Sequence, residues 1–368
     1  MRILFVHSRM VGGGIERVTL TLIEEFQKRG IECCLALRHA NGDFIGEAHA
    51  LVEVVELAGS GMHRFVPRLS GLIRDFEPTH IVTAMPDVSL LTLVARWRAS
   101  SSASVIQGVH VTQLRAAYAK SVFGWLKGTL ERLIAGFAYR YVDEVVAVSR
   151  GIQEELPSEF GVTAGRIWHI HNPVVRESDV VKSNDIPPSA ISALKFVAIG
   201  RLSREKGLDV LIRALCRVKG DWRLDIFGGG PEYDTLAALI DACGLEGHVS
   251  LRGHIDNSYA AIDAADWLIL PSRVEGFGVV LVEALARGVP AIASDCPHGP
   301  REILKDGRFG LLVQPDDVNA LGEILCQVVD GRHEFDRDLL RERAMDFSVS
   351  RSVERWLELL RRTEKQLE

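Results

Sequence analysis

Four groups of residues in this 368-residue chain have types and spacings suited to an anionic, hydroxyl-rich ligand. Arg201 and Lys206 lie in a loop bounded by Gly200 and Gly207, directly after the apolar run Phe196 to Ile199. Two fixed cations at a strand end suit a diphosphate, whose charge must be stabilised as a bond to it breaks. The bland alternative is a solvated loop; Asp209 could cap the following helix, or Glu205 could pair with one of the cations. Glu275 and Glu283 bracket Gly276, Phe277, Gly278 and Val279. On a helix that separation is about 12 Å, and the amides at 277–279 would face an anion at the helix start. Glu283, beside Ala284 and Leu285, needs a partner: ribose hydroxyls or an arginine would serve. Gly13 and Gly14, with Gly12, fit a backbone approach to an anion or a plain turn. The order is not that of a dinucleotide fingerprint. His110 follows an apolar run and could reach a substrate hydroxyl or be structural. His7, His169, His171, His254 and His298 lack metal spacing, and Asp263 and Asp266 form no metal-binding pair. No metal is expected.

The elements that must carry these groups alternate strand and helix. Ile3 to Val6 reads as a strand buried on both faces, followed by the glycine turn. The helix Ile15 to Arg29 has Val18, Leu22 and Phe26 on one side, with Gly30 as its C-cap. Strands are expected at Glu32–Leu37, Leu51–Leu57, His80–Val82, Ala103–Gln107, Glu144–Val148 and Ile167–Ile170. Helices are expected at Pro67–Phe76, Val88–Arg98 and from Ser149. The polar stretch Asp179 to Ser192 reads as a linker. The grammar then repeats, with strands at Phe196–Ile199, Leu224–Phe227, Val249–Leu251, Trp267–Leu270, Ala291–Ser294 and Gly310–Val313. Helices are expected at Leu208–Val218, Tyr233–Cys243, Tyr259–Ala264 and Gly278–Ala286, and two more close the chain. Two successive βα domains imply an α/β protein whose ligands bind at the carboxyl ends of the strands.

Composition narrows the class. Hydrophobic residues make up 47% and charged residues 25%, a globular balance. The net charge of −6 gives no global attraction for nucleic acid. Six cysteines without a CxxC pair are too few for a disulfide scaffold, and Cys33 and Cys34 read as buried thiols. Neither a signal peptide nor an uninterrupted apolar span of about 18 residues is apparent, so a cytoplasmic location is expected.

Taken together, these segments resemble the GT-B glycosyltransferases, and within them the family 4 retaining enzymes of the glycogen-synthase-like group. The resemblance rests on Gly12-Gly13-Gly14-Ile15-Glu16-Arg17, Val148-Ser149, His171-Asn172-Pro173 and Gly200-Arg201-Leu202 with Lys206-Gly207. It rests further on Gly228-Gly229-Gly230-Pro231, Gly288 with Pro290, and above all Pro271-Ser272 with Glu275-Gly276-Phe277-Gly278 and Glu283-Ala284. It implies two Rossmann-like domains facing a central cleft: an acceptor-side domain over 1–178, a nucleotide-sugar domain over 193–348, and a helix over 349–368 returning to the first. It also implies roles. Arg201 and Lys206 would hold the donor diphosphate, Glu275 the donor sugar with the amides of Gly276 to Val279, and Glu283 the ribose. His110 would touch the sugar, and Gly13 and Gly14 would line the pyrophosphate. The anomeric configuration would be retained without a metal or other cofactor. The stretch Ser294 to Leu304 is similar to bacterial enzymes that build surface polysaccharide. That implies a UDP-sugar ahead of a GDP-sugar and a glycan acceptor, lipid-linked ahead of a soluble small molecule. A non-catalytic subunit would be expected to lose Arg201, Lys206 or Glu275.

One further segment is informative. Arg115 to Tyr141 carries Arg115, Lys120, Lys127, Arg132 and Arg140 interleaved with aromatics. Phe123, Leu126, Leu130, Leu133 and Phe137 recur at helical spacing. The stripe faces either the domain core or an anionic membrane surface, which would make the protein peripheral on the cytoplasmic face.

Overall fold

The computed structural model describes residues 1–11, 13–57, 62–110, 122–180, 193–255 and 257–367, the side chains of 62, 122–127 and 366–367 aside. Gly12, the stretch 181–192 of the expected linker, and residues 115–121 of the aromatic-basic segment lie outside them. The chain forms two compact units, Met1–Pro173 with Val349–Glu368, and Val174–Ser348.

The first unit runs β1 (Arg2–His7), α1 (Gly14–Gln27), β2 (Glu32–Leu37), α2 (Ile45–Leu51), β3 (Glu53–Glu56), α3 (Met62–Phe76), β4 (His80–Thr83), α4 (Pro86–Ala99), β5 (Ser104–Val109), α5 (Val122–Tyr141), β6 (Glu144–Ala147), α6 (Arg150–Phe160) and β7 (Ile167–His169). Its sheet has the order β3-β2-β1-β4-β5-β6-β7, with every pairing parallel. The stripe Val18, Leu22, Phe26 is buried on the sheet as its spacing predicts. Two boundaries differ from the sequence reading. Helix α3 begins at Met62 and contains Pro67, because Phe65 is anchored in the core and the proline forfeits a single early hydrogen bond. Helix α2 has no legible stripe, since Ala48 is its one buried residue. It takes Leu51 out of the expected strand.

The second unit runs β8 (Leu194–Ile199), α7 (Leu208–Leu215), β9 (Trp222–Phe227), α8 (Tyr233–Ala242), β10 (Val249–Gly253), α9 (Ser258–Asp263), β11 (Trp267–Leu270), α10 (Val279–Ala286), β12 (Ala291–Ser294), α11 (Pro300–Ile303), β13 (Leu311–Val313), α12 (Val318–Val329) and α13 (Arg337–Ala344). Its sheet order is β10-β9-β8-β11-β12-β13, again all parallel. Leu211, Leu215, Trp222, Leu224 and Leu325 centre its core. Cys216 and Cys243 form a disulfide between the ends of α7 and α8, with Cα atoms 5.8 Å apart. Cys33 and Cys34 are buried free thiols.

The last helix, α14 (Val349–Leu367), belongs to the first unit. Three helices therefore follow β13, not two; α13 is too charged to show an apolar repeat. Val353, Trp356, Leu359 and Leu360 of α14 share a core with Ile3, Phe5, Ile23 and Phe26. His80 Nε2 and Thr363 Oγ1 are hydrogen-bonded at 2.8 Å, tying β4 to α14. Each unit is a Rossmann-like α/β domain. In each, strand order reverses beside the first strand, at β1/β4 and at β8/β11, where such sheets open a crevice beyond their carboxyl ends.

Candidate functional site

The loops after β8 and β11 flank the switch point of the second unit. They touch through backbone. Gly207 has φ +63°, and a Cβ there would stand 2.0 Å from the Pro271 carbonyl oxygen. The glycine turn after β9 closes from the other side: a Cβ on Gly228 (φ +138°) would meet the Gly200 oxygen at 1.9 Å. Arg273 fastens the two loops. Its guanidinium donates to both Asp209 oxygens at 2.8 and 2.9 Å, to Asp316 Oδ1 at 2.6 Å and to the Arg204 carbonyl at 2.6 Å. Asp209 is thus a loop anchor, its carboxyl held below the usual range by the Arg273 hydrogen bonds and charge against the opposing effect of burial. Glu205 takes the Ser203 hydroxyl at 2.6 Å.

Within this frame Lys206 and Glu275, 69 residues apart, meet: Nζ donates to Oε1 at 2.6 Å. Ser272 Oγ donates to the same oxygen at 2.7 Å. Burial opposes the lysine's charge, but the Glu275 carboxylate beside it outweighs that and leaves its pKa raised. The Cys296 thiol nearby is pushed up to about 12 by burial and then by the Glu275 charge. Glu275 Oε2 accepts no hydrogen bond among the described residues. Arg201 is exposed and makes no ion pair among the described residues. The Phe277 ring is buried against Phe347, 5.5 Å between centroids, so only its backbone is available. Gly276 and Gly278 are buried beside it, and Gly278 caps α10. Val279 and Glu283 are half-buried on α10. Glu283 helps raise the Tyr259 hydroxyl's pKa, after burial and ahead of Asp179.

In the first unit, Gly13 caps α1 and Gly14 is its first residue. Glu16 folds back on the cap: a Cβ at Gly13 would meet its Oε2 at 2.7 Å. Burial lifts the Glu16 carboxyl to about 7, against a hydrogen bond from its own amide. His110 lines a cavity of about 30 Å³ with His7, Thr19, Thr83 and Gly108. Its pKa falls to about 4, by burial and then by the neighbouring His7 charge. His7 is likewise lowered to about 4 by burial. Thr19 Oγ1 lies 3.1 Å from the Ile15 carbonyl oxygen and is hydrogen-bonded to His7 Nε2 at 3.0 Å. Both imidazoles are therefore neutral near pH 7.

Comparison with known proteins decides the family. The family description "Glycosyltransferase Family 4" matches residues 12–178, and "Glycosyl transferases group 1" matches residues 185–344. The chain belongs to the GT4/group 1 glycosyltransferases. This glycosyltransferase is 29% identical to the lipopolysaccharide 1,6-galactosyltransferase of Salmonella typhimurium, over 64% of the chain and 67% of that relative. It is 23% identical to the Escherichia coli protein of the same name, over 96% of each. Anabaena Alr3699/HepE, solved in complex with UDP, superposes with a TM-score of 0.82 at 19% identity, over 98% of this chain and 99% of that one. That likeness establishes the GT-B fold.

The structure brings Lys206 to Glu275 and sets Arg201 on the same loop. Sequence reasoning quoted Ser272 only within the resemblance and missed its bond to Glu275, together with Cys296 and the Arg273 anchor. Ser272 was legible in principle, three residues before Glu275 in a tight turn. Cys296 and Asp209 meet the site only through tertiary contact.

Proposed function

We propose that this glycosyltransferase moves a hexose or N-acetylhexosamine from a UDP-linked donor to a hydroxyl of a lipid-linked glycan acceptor in surface polysaccharide assembly. It does so with retention of anomeric configuration, without a metal, and at the cytoplasmic face of the membrane. The Lys206–Glu275 pair at the β8/β11 switch point carries this reading. Lys206 has three N–H donors and gives one to Glu275, leaving the others for a diphosphate. Glu275, held by Lys206 and Ser272 through Oε1, offers Oε2 to the donor sugar. Arg201 adds to the same loop a cation with no ion pair among the described residues. As the bond from the anomeric carbon to the diphosphate breaks, these cations stabilise the departing charge, the work a metal does elsewhere. The acceptor oxygen bonds on the same face, and its proton passes to the leaving phosphate. Glu283 takes the ribose, Gly13 and Gly14 serve the pyrophosphate, and neutral His110 serves a sugar hydroxyl. The UDP-bound Anabaena protein and the lipopolysaccharide transferases support the choice of donor and acceptor class.

The test is incubation of the purified protein with a sugar-nucleotide library and lipid-linked or soluble glycan acceptors, with products identified by mass spectrometry and NMR. Transfer from a UDP-sugar with retained configuration, undiminished by EDTA, is expected. Transfer with inversion, transfer only from GDP-sugars, or EDTA loss restored by Mg²⁺ would each overturn the corresponding part. No transfer from any sugar nucleotide would overturn the whole.

A further inference from the structure

An open cavity of about 470 Å³ lies at the amino edge of the first unit's sheet. Ser104 opens β5, Glu144 opens β6 and Arg166 precedes β7, and all three line it. Arg140 and Tyr141 reach it from the end of α5, and Arg362 from α14. The end of α5 is held by Ala138 and Tyr139, which take the core side with Ala135, while the apolar row Leu130, Leu133 and Phe137 is exposed. Phe123, Trp125 and Leu126 of that row's expected stripe lie outside the described side chains. Every strand pairing in the sheet is parallel, so the cavity stands at the opposite edge from Gly13 and His110, which follow β1 and β5.

Some of the polar groups here are spent on the fold. Arg166 donates to the carbonyls of Tyr139, Arg140, Val142 and Asp143 and so caps α5. Asp143 Oδ2 accepts from Arg96 and from the Val105 amide. Others are not spent. Arg140 and Arg362 are exposed, donate to one backbone carbonyl each, of Phe160 and of Gly165, and make no ion pair among the described residues. A guanidinium has five N–H donors, so both keep several for a ligand. Glu144, 4% exposed, accepts the Trp168 indole N–H on Oε2 at 3.1 Å, and its Oε1 accepts no hydrogen bond among the described residues. Burial raises its pKa, against the Arg362 charge and the Trp168 hydrogen bond. Ser104 is also 4% exposed, and its Oγ has no hydrogen-bond partner. A buried hydroxyl left unpaired is uncommon and costs stability.

The unspent groups are therefore two guanidiniums, one carboxylate oxygen and one hydroxyl, around a space of the size that takes a small molecule. Guanidiniums suit a phosphate, which they meet with charge and with forked donors. Glu144 Oε1 can accept from an alcohol hydroxyl, and Ser104 Oγ can give or take a hydrogen bond with one. We propose that this cavity is a second ligand site, for a small hydroxylated phosphate ester with its phosphate on Arg140 and Arg362 and its hydroxyls on Glu144 and Ser104. The ligand takes no part in sugar transfer, because the strands of the sheet lie between it and the carboxyl edge. The site stands apart from the donor and acceptor proposed above, and its occupancy is read without either.

The experiment is an NMR titration of the full chain, isotope-labelled at its indole nitrogens, with sorbitol 6-phosphate. This probe has no anomeric carbon and cannot serve as a sugar donor. The Trp168 indole N–H reports on the cavity, being bonded to Glu144 with Arg362 5.3 Å from the ring centroid; Trp168→Phe assigns its resonance. The probe should shift that resonance saturably, sorbitol should leave it unmoved, and inorganic phosphate should bind at least roughly tenfold more weakly. Arg140→Gln and Arg362→Gln should each weaken the probe by roughly tenfold or more. Both side chains are exposed, so both variants should keep the wild-type melting temperature. Ser104→Ala should weaken the probe and leave inorganic phosphate unchanged. Arg201→Ala, in the second unit, should titrate as wild type does. A Trp168 resonance that the probe does not move would overturn the proposal. So would equal affinity in wild type and both arginine variants, or a shift lost in Arg201→Ala. Inorganic phosphate binding as tightly as the probe would overturn the hydroxyl contacts.

Discussion

Replacing Arg201 and Lys206 separately by alanine distinguishes charge that acts on the ligand from charge that also holds the protein. Lys206 supplies one of two hydrogen bonds to a carboxylate whose side chain is 10% exposed, and is itself 26% exposed. Orphaning a buried charged partner costs about 1–3 kcal/mol; with the lysine partly in water, about 1–2 kcal/mol is the better figure. At about 2–4 °C per kcal/mol for a domain of this size, Lys206→Ala should melt roughly 2–8 °C lower. Arg201 is exposed and makes no ion pair among the described residues, so Arg201→Ala should stay within about 0.5 kcal/mol of wild type. Turnover should nevertheless fall in both by on the order of a hundredfold, the usual loss when one donor to developing charge is removed. Calorimetry and steady-state release of the nucleoside diphosphate, measured on the same preparations, check this. Wild-type turnover in Arg201→Ala would refute the diphosphate role. An unchanged melting temperature in Lys206→Ala would refute the structural half of the Lys206–Glu275 argument.

Gly207→Ala should be worse for folding than either, because it forces a left-handed alanine and a Cβ 2.0 Å from a carbonyl oxygen that cannot swing away. A loss above about 2 kcal/mol in denaturant unfolding is expected, and an unchanged midpoint would contradict the close approach. Acid should destabilise the first unit. His7 and His80 fold with pKa values lowered to about 4 by burial, against an ordinary value near 6.5. The unfolded chain then binds more protons between those values, so stability holds above about pH 6.5 and falls towards about pH 4, by on the order of 3 kcal/mol per histidine. A series of melts against pH should show this slope, and His80→Asn should flatten it; a slope unchanged in His80→Asn would remove His80 from the account. Glu16 runs the other way. With its folded pKa raised to about 7, the stability present below about pH 4.5 is lost as pH rises through about 7. Glu16→Gln should therefore melt above wild type at about pH 8, and equal melting would show the carboxyl is not desolvated.

What the sequence reveals depends on the range of the interaction. Strand Trp267–Leu270 and the stripe of α1 are local patterns, and the structure has them where period and apolarity put them. Gly207 and Glu275 were each legible as members of a motif, but their motifs meet only because β8 and β11 are neighbours, a pairing set by the whole sheet. The Arg273–Asp209 anchor spans 64 residues; locally Asp209 reads only as a helix cap, and Arg273 carries no local mark. The direction of the α5 stripe was undecidable from spacing, since an apolar row fits a core or an outer surface equally. Its exposure follows from which side of the helix the alanines occupy.

The return of α14 to the first unit has a consequence for biosynthesis. A ribosome delivers β1 to β7 first, yet their core lacks Val353, Trp356, Leu359 and Leu360 until nearly the whole chain has emerged. The second unit, contiguous in sequence, can close while the first still shows Ile23 and Phe26 to solvent. The order of completion is thus the reverse of the order of translation. A nascent chain paused between the two is the species a chaperone must shield, and a premature stop after Ser348 would yield a finished insert on an unfinished host.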